Sequence, residues 1–198
     1  MASPSVIAID VAILVPDQVA EPARTINRAL AAGRTDALRL DSTHLPHITL
    51  AQQFVERVRF DELWRALDGL LRHAPALPLR VAGVTFEHGT VQFAIDPAAD
   101  LLRLHDAVIQ ALEPFEAPGG GPDAFQADGE TIRPRDVAWV RNFRSQASCA
   151  RFRPHVTLGH ADRAPDAVPI DFVAKVAAAC HLGRFCTCRT VLRQWRLR

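Results

Sequence analysis

The sequence has little excess charge, few cysteines and no long apolar segment, and each shortage excludes a class of protein. Its 23 basic and 22 acidic side chains give a formal net charge of +1. That balance argues against a polybasic protein that binds nucleic acid through charge alone. No apolar run approaches the ~20 residues that a membrane-spanning helix requires, so we expect no membrane partner.

The four cysteines are Cys149, Cys180, Cys186 and Cys188. They are too sparse for a disulfide framework in a chain that can bury its own core. The last three could supply zinc ligands, but zinc knuckles usually have Cys-x2-Cys spacing, and no matching fourth ligand pair is present. Segment 1–11 also lacks the basic region and cleavage site of a secretory signal. We therefore expect reduced thiols and a cytoplasmic location.

Apolar spacing predicts strands interleaved with amphipathic helices. Strands are predicted, in order, at 6–15, 45–54, 79–86, 91–95, 137–143 and 155–159. Helices are predicted between 17 and 33, 60 and 71, and 97 and 115. Alanine content allows a helix at 173–179, but the β-branched continuation favours two strands over 172–197, broken at Gly183. The Pro- and Gly-rich segment 118–122 predicts a flexible connection.

One short segment occurs twice. The sequence PHITL at 46–50 recurs as PHVTL at 154–158. Each copy has the composition of a strand whose first residue is proline, where a missing N–H is tolerated. Each copy also follows a strand-plus-helix unit, at 6–33 and at 91–115. The repeat predicts two similar lobes related by a pseudo-two-fold axis.

Because side chains alternate along a strand, His47 and Thr49 share one face, and so do His155 and Thr157. Side by side, the two strands would bring two imidazoles and two hydroxyls to one cleft. One histidine can deprotonate water while the other protonates a departing ribose oxygen, and the threonines can hold non-bridging phosphate oxygens. We assign His155 as the water activator and His47 as the general acid, and the reverse assignment is the alternative. The alternative is two core strands that share a favourable sequence.

The same segments bear on metal binding. His-x-Thr supplies one good metal ligand per strand, and neither an HExxH sequence nor a His-rich triad lies near either copy. We therefore predict no metal and no other cofactor. A zinc or dinuclear hydrolase is the alternative.

The region before the second copy is rich in arginine. Seven arginines and two aspartates lie between 133 and 163, a local excess of five positive charges. Guanidinium groups match phosphate oxygens, and aromatic rings at a cleft mouth can stack a base. A solvated loop face is the alternative. The predicted substrate-binding residues are Arg151, Arg153, Trp139, Phe143 and His44.

With two H-x-[ST]-x motifs, at 47–50 and 155–158, the sequence resembles the 2H phosphoesterase superfamily, which includes 2′-5′ RNA ligase-like proteins and cyclic nucleotide phosphodiesterases. Segment 181–187 is similar to a terminal hairpin of these proteins. The resemblance implies an α+β fold with two pseudo-two-fold duplicated lobes and antiparallel sheets around a central cleft. The predicted domain spans 1–198, with an Arg-rich insert at about 117–150.

The resemblance also implies metal-independent action on a 2′,3′-cyclic phosphate or a 2′-5′ linked end. The expected partner is RNA with a cyclic-phosphate end or a small cyclic nucleotide, and the expected state is a monomer. Ligation of 2′-5′ ends would use every residue named and remains an alternative. A second alternative is an RNA-end binding module without turnover, although intact motifs in both lobes favour an enzyme.

Overall fold

The computed structural model describes residues 5–161 and 165–198. Arg163, one of the seven arginines, lies outside the described residues. The strands are β1 (Val6–Leu14), β2 (His47–Glu56), β3 (Leu77–Glu87), β4 (Thr90–Ile95), β5 (His155–His160), β6 (Ile170–Ala174), β7 (Val176–Leu182) and β8 (Cys188–Arg196). The helices are α1 (Asp17–Ala31), α2 (Phe60–Leu71), α3 (Ala99–Leu112) and α4 (Pro134–Ala147). No helix in these ranges is long and apolar enough to cross a membrane.

The strands form two four-stranded antiparallel sheets. The first has the order β2-β1-β7-β8 and the second has the order β5-β4-β3-β6. The two strands that contain the repeated motifs, β2 and β5, are here called the motif strands, and each lies at the edge of its sheet. Strand β2 pairs with β1, which precedes α1, and strand β5 pairs with β4, which precedes α3. This architecture confirms the predicted α+β fold with two antiparallel sheets.

The two motif strands also share an irregularity. In the first sheet Thr49 lies opposite Ala12, but Gln52 lies opposite Asp10, because a bulge leaves Leu50 without a partner in the register. A β-bulge of this kind re-aims the side chains that follow it. Gln52 therefore comes to the same side of the sheet as Thr49, and both side chains meet the carboxylate of Asp10.

The second sheet repeats this register. Thr157 lies opposite Gln92, His160 lies opposite Thr90, and Leu158 is the unpaired bulge residue. Position 90 therefore corresponds to position 10 in the first sheet. The pseudo-two-fold relation extends to the placement of one extra residue in each motif strand.

The helices cross between the sheets. Helix α1 follows β1 but packs on β5 and β6, whereas α3 follows β4 but packs on β2. Asn27 of α1 donates its Nδ2 hydrogen bond to the carbonyl of Leu158, at 2.7 Å. His105 of α3 donates from Nδ1 to the carbonyl of Leu50, also at 2.7 Å. Each lobe thus supplies the side chain that holds the bulge of the other lobe's motif strand.

Asn27 and His105, here called the tethers, each also form hydrogen bonds to the chain segment that precedes a motif. Asn27 donates to the carbonyl of Leu38 at 2.9 Å and accepts from the N–H of Leu40 at 2.7 Å. His105 accepts from the N–H of Cys149 at 2.8 Å. Asn27 is 2% exposed and His105 is 1% exposed. Buried polar groups with this many partners are costly to remove, about 1–3 kcal/mol for each acceptor or donor left unpaired.

The fifth predicted strand is wrong, because that segment belongs to helix α4. Pro134 occupies the first turn, where its missing N–H costs nothing. The carboxylate of Asp136 accepts from the backbone N–H of Arg133 at 3.3 Å. Val137 and Val140 are buried at a spacing of three residues, which presents one helix face to the sheet. Local charge and proline placement therefore outweigh the apolar run.

Two further segments refine the predicted elements. The C-terminal region is built of strands, as predicted, and its chain breaks at Lys175 as well as near Gly183. The Gly-rich connection is closely packed at Gly120, where an added Cβ would overlap the ring of Phe54. This connection therefore lies against β2.

Candidate active site

The four motif residues lie on two sheet edges that meet. His47 and Thr49 are on β2, His155 and Thr157 are on β5, and the two strands are in contact. All four side chains are partly exposed, whereas the alternate residues between them are buried. The structure therefore brings together the imidazoles and hydroxyls that the repeat predicts.

Both imidazoles are held in the same way. His47 donates from Nδ1 to the carbonyl of Leu45 at 2.7 Å, and His155 donates from Nδ1 to the carbonyl of Arg153 at 2.8 Å. A carbonyl oxygen only accepts, so Nδ1 carries a hydrogen in each ring. The Nε2 atom of each ring is consequently the one available for proton transfer.

A buried carboxylate lies beside the first motif. Asp10 is 0% exposed, and its Oδ2 accepts from the hydroxyl of Thr49 and from Nε2 of Gln52, both at 2.7 Å. The same oxygen lies 3.4 Å from Nε2 of His47. Within the described ranges, Asp10 forms no ion pair with an arginine or lysine. His47 is therefore the cationic partner that this carboxylate favours.

The two histidines have opposite pKa shifts. Burial lowers the pKa of His47, but the hydrogen bond and charge of Asp10 outweigh burial and raise it above the ordinary value of 6.5. Burial lowers the pKa of His155, the carbonyl of Arg153 offsets part of this, and the charge of His47 lowers it further. The net pKa of His155 is below 6.5. His47 is therefore the more readily protonated of the two imidazoles, and His155 is the more readily neutral one.

The two threonines differ as well. The hydroxyl hydrogen of Thr49 is donated to Asp10. Thr157 has no hydrogen-bond partner on its hydroxyl among the residues that the structure covers. Thr157 is thus the hydroxyl that is free to donate to a ligand.

The two predicted arginines precede the second motif. Arg151 and Arg153 are exposed, and their guanidinium groups donate to carbonyls, including those of Ser145 and Ala150 at 3.0 and 3.1 Å. Neither forms an ion pair with a carboxylate in the described ranges. Their charges remain available to an anion, and Arg153 lies two residues from His155.

The other predicted contacts are placed differently. Trp139 is 40% exposed on α4 and meets Phe143 edge-on at 6.0 Å, but Phe143 is 4% exposed and belongs to the main core. His44 lies 3.0 Å from Asp41 through Nδ1 and accepts from Arg189 at Nε2, at 2.5 Å. Both ring nitrogens of His44 therefore have partners. No hydrogen bond or ring contact joins these three predicted residues to a motif residue in the portion described.

Much of the remaining arginine cluster is structural. Arg133 pairs with Asp136, and Arg144 pairs with Glu116 at 3.0 Å. Arg141 donates to a carbonyl in the Gly-rich connection at 3.0 Å. These contacts fasten α4 to its surroundings and neutralise part of the local positive charge.

Asp10 and Arg189 have roles that the sequence analysis did not identify. The Arg189 side chain is 8% exposed and pairs with Asp128 at 2.8 Å and Glu130 at 3.4 Å, which ties the insert to β8. Asp10 had one sequence signal, because it is an isolated acid in the apolar run of β1. Buried carboxylates are rare unless they are paired.

Within residues 5–161 and 165–198, two groups of side chains come close enough to hold a metal ion. Asp10, His47 and Cys188 offer ligand atoms within 4.8 Å of one another, and a second group surrounds His105. Each group has three ligands, whereas a closed structural zinc site has four. Both ring nitrogens of His105 are also hydrogen-bonded. In the first group, Oδ2 of Asp10 accepts hydrogen bonds from Thr49 and Gln52 and lies 3.4 Å from Nε2 of His47, so its contacts are those of a hydrogen-bonded carboxylate beside an imidazole.

A separate groove of about 590 Å³ lies along β3 and β6. Arg80 and Asp171 line it and form a salt bridge at 3.0 Å. None of the four motif residues lines this groove. The convergence of the motif strands, and not the size of this groove, locates the candidate site.

Solved structures share the fold across nearly the whole chain. TT0787 of Thermus thermophilus has a TM-score of 0.62 at 15% identity, covering 97% of this chain and 98% of that one. E. coli LigT complexed with 3′-AMP has a TM-score of 0.61 at 16% identity, with coverage of 97% and 98%. A structure described as a phosphoesterase has a TM-score of 0.55 at 19% identity, with coverage of 96% and 97%. Identities this low establish the fold alone.

No curated protein sequence matches the chain. The family model of the 2′-5′ RNA ligase superfamily matches residues 15–189. That range contains both motif strands, all four helices and most of the remaining strands. The resemblance carried by the two motifs is thereby confirmed, and the chain belongs to the 2′-5′ RNA ligase superfamily of 2H phosphoesterases.

Proposed function

We propose that the protein is a cyclic phosphodiesterase that hydrolyses a 2′,3′-cyclic phosphate on RNA ends or small nucleotides without a metal ion. The observation that carries this proposal is the pair of histidines. They have the same orientation on facing strands and opposite pKa shifts. Such a pair can act as one acid and one base near neutral pH.

The proton transfers follow from the resting states. Neutral His155 accepts a proton from water at Nε2 as the water oxygen attacks phosphorus. The new P–O bond forms while the bond from phosphorus to one ribose oxygen breaks. His47 gives its Nε2 proton to that oxygen, leaving a 2′- or 3′-monoester. The resulting His155 cation and neutral His47 then return to their resting states by proton exchange with solvent.

Phosphate binding is assigned to the second motif. The hydroxyl of Thr157 is free to donate, and the exposed guanidinium of Arg153 lies close by in the chain. Donors fixed at this position stabilise negative charge as it develops on the phosphate oxygens. Crystal structures of LigT with phosphate and with 3′-AMP support a nucleotide phosphate as the ligand class.

Ligation is the second candidate, and the superfamily name favours it. It needs the same base and acid, with a ribose 5′-hydroxyl as the nucleophile in place of water. The two reactions therefore compete for one site. An acceptor RNA with a 5′-hydroxyl distinguishes them.

The test is turnover by the purified, EDTA-treated protein. Its substrates are each 2′,3′-cyclic nucleotide and a short RNA ending in a cyclic phosphate, with and without an acceptor RNA. Chromatography identifies the products. We expect monoesters without added metal, and conversion that is at least about 10²-fold slower in His47→Ala and in His155→Ala. His73→Ala is the matched control, because His73 is exposed and outside the motifs.

Each other outcome has a definite meaning. A longer RNA product that forms in place of the monoester assigns ligation. Retention of the cyclic nucleotide unchanged, with measurable binding, assigns a non-catalytic RNA-end binding module. Equal activity in the wild type and both histidine variants would contradict the two-histidine mechanism.

A further inference from the structure

Several equivalent positions beside the two motifs carry different side chains, and one of these pairs differs by a carboxylate. The shared bulge register places Asp10 opposite Gln52 in the first sheet and Thr90 opposite His160 in the second. The backbone is thus repeated, but a carboxylate in one lobe is replaced by a neutral hydroxyl in the other. At this pair of positions the surroundings of the two motifs therefore differ in charge.

The buried carboxylate of Asp10 has few polar or cationic partners. Its Oδ2 accepts from two neutral donors, Thr49 and Gln52. Its buried Oδ1 has no hydrogen-bond partner in the described residues. Burying a carboxylate is unfavourable unless it is paired, and the cation within reach is His47 at 3.4 Å. The charge of Asp10 and that of His47 therefore stabilise each other.

We infer that Asp10 is a positioning residue that holds His47 as the proton donor and so gives the acid role to the first motif and the base role to the second. The contribution of Asp10 to catalysis rests on the proposed function. Its effect on His47 does not, because that effect is present in the free protein. Asp10 acts through His47 and is not assigned a contact with the substrate.

Other groups that face the histidines do not supply an equivalent charge. The titratable groups near His47 come from four strands and are Asp10 on β1, Cys180 on β7, Cys188 on β8 and His155 on β5. Burial raises the pKa of the Cys188 thiol well above 9.0, so this thiol is neutral. His155 is influenced by His47, by Glu87 of β3 and by Asp10. Asp10 is the carboxylate that lies next to His47.

The direct test is a proton NMR titration of the two imidazoles in the wild type and in Asp10→Asn. Asparagine keeps the shape, and its carbonyl can still accept from Thr49 and Gln52. We expect the pKa of His47 to fall by about one unit or more, as for loss of an adjacent opposite charge. The pKa of His155 should change less. Gln52→Met is the matched control, because it removes one neutral donor and keeps the charge, so it should not lower the pKa of His47.

The pH dependence of turnover is the second readout. The active form has His47 protonated and His155 neutral, so the rate falls above the pKa of His47 and below that of His155. Asp10→Asn should move the alkaline limb to lower pH by the shift seen in the titration, with the acid limb nearly fixed. A purely structural role would reduce kcat without moving either limb.

The outcomes separate the two proposals. An unchanged His47 pKa in folded Asp10→Asn overturns the positioning role. If that variant does not fold, Asp10→Thr, which copies Thr90 of the other lobe, provides the same comparison. A lowered His47 pKa in a protein whose wild type opens no cyclic phosphate upholds the positioning role and refutes the proposed function alone.

Discussion

The two motif strands can be compared position by position. They share the edge position, the bulge, the partly exposed histidine and threonine, and the Nδ1 hydrogen bond to a carbonyl two residues earlier. They differ in the buried carboxylate beside His47 and in the free hydroxyl of Thr157. A reaction that moves one proton in and one proton out needs two unlike groups. The repeated backbone brings the groups together, and side chains outside the motifs make them unlike.

Removing either histidine should have the largest effect. His47→Ala and His155→Ala should each lower kcat/KM on a cyclic phosphate by about 10²–10⁴-fold, the usual range for general acid or base catalysis. A nitrophenyl phosphodiester sharpens the comparison, because its leaving group departs without a proton. On that substrate His47→Ala should recover much of its loss and His155→Ala should not. Equal losses on both substrates in steady-state kinetics would refute the assigned roles.

Removing a hydroxyl should have a smaller and unequal effect. Thr157→Val should lower kcat/KM by about 10²-fold, as for loss of one donor to developing negative charge. Thr49→Val should cost less, because the hydrogen of Thr49 is donated to Asp10. Kinetics of the two variants at the pH optimum provide the comparison. A greater loss in Thr49→Val would show that Thr49 is the phosphate donor.

The crossed tethers can be compared through stability. Asn27→Ala and His105→Ala should each reduce the free energy of unfolding by about 1–3 kcal/mol, because each leaves buried backbone groups unpaired. Urea denaturation measures this change. A loss below about 0.5 kcal/mol in either variant would argue against a tether.

The same tethers should differ in their pH dependence. Burial lowers the pKa of His105 below 6.5, although the Leu50 carbonyl opposes this. Below pH 6.5 the His105 imidazole therefore binds a proton more readily in the unfolded chain than in the folded one. The free energy of unfolding consequently decreases as the pH is lowered. The deficit of His105→Ala should shrink on acidification, whereas that of Asn27→Ala should stay constant. Denaturation at several pH values tests the contrast.

Adding the missing carboxylate should have the smallest effect. Thr90→Asp places an acid at the position equivalent to Asp10, although Thr90 is only partly buried. The pKa of His155 should rise, and the acid limb of the pH–rate profile should move to higher pH by less than about one unit. Thr90→Asn controls for the change in shape. An acid limb that moves equally in both variants would remove charge as the cause.

Much of the fold is readable from the sequence because its signals are local. The apolar stripe of α1, ended near Gly33, and the hairpin at His88-Gly89 lie where periodicity and turn residues predict them. The motif repeat identifies two strands and the four side chains that converge. Each of these signals is complete within a short stretch of chain.

The features that the sequence did not predict depend on contacts between segments that are distant in the chain, or on a weak local pattern. Val137, Val140 and Phe143 recur every three residues, but this helical spacing is weak within a short apolar run. Asp10 matters because a bulge near Leu50 aligns it with Gln52, and no pattern in either strand fixes that register. His44 is occupied by Arg189, which is 145 residues away in sequence. Such pairings are decided by the tertiary fold.

The order of pairing in the first sheet has a consequence for synthesis of the chain. Strand β1, which carries Asp10, lies between β2 and β7. Its partner β7 begins only at Val176, so one edge of β1 stays unpaired until that segment has emerged from the ribosome. An apolar strand with an open edge can pair with other nascent chains. The strand that carries Asp10 is therefore also a segment whose open edge an early chaperone contact would protect.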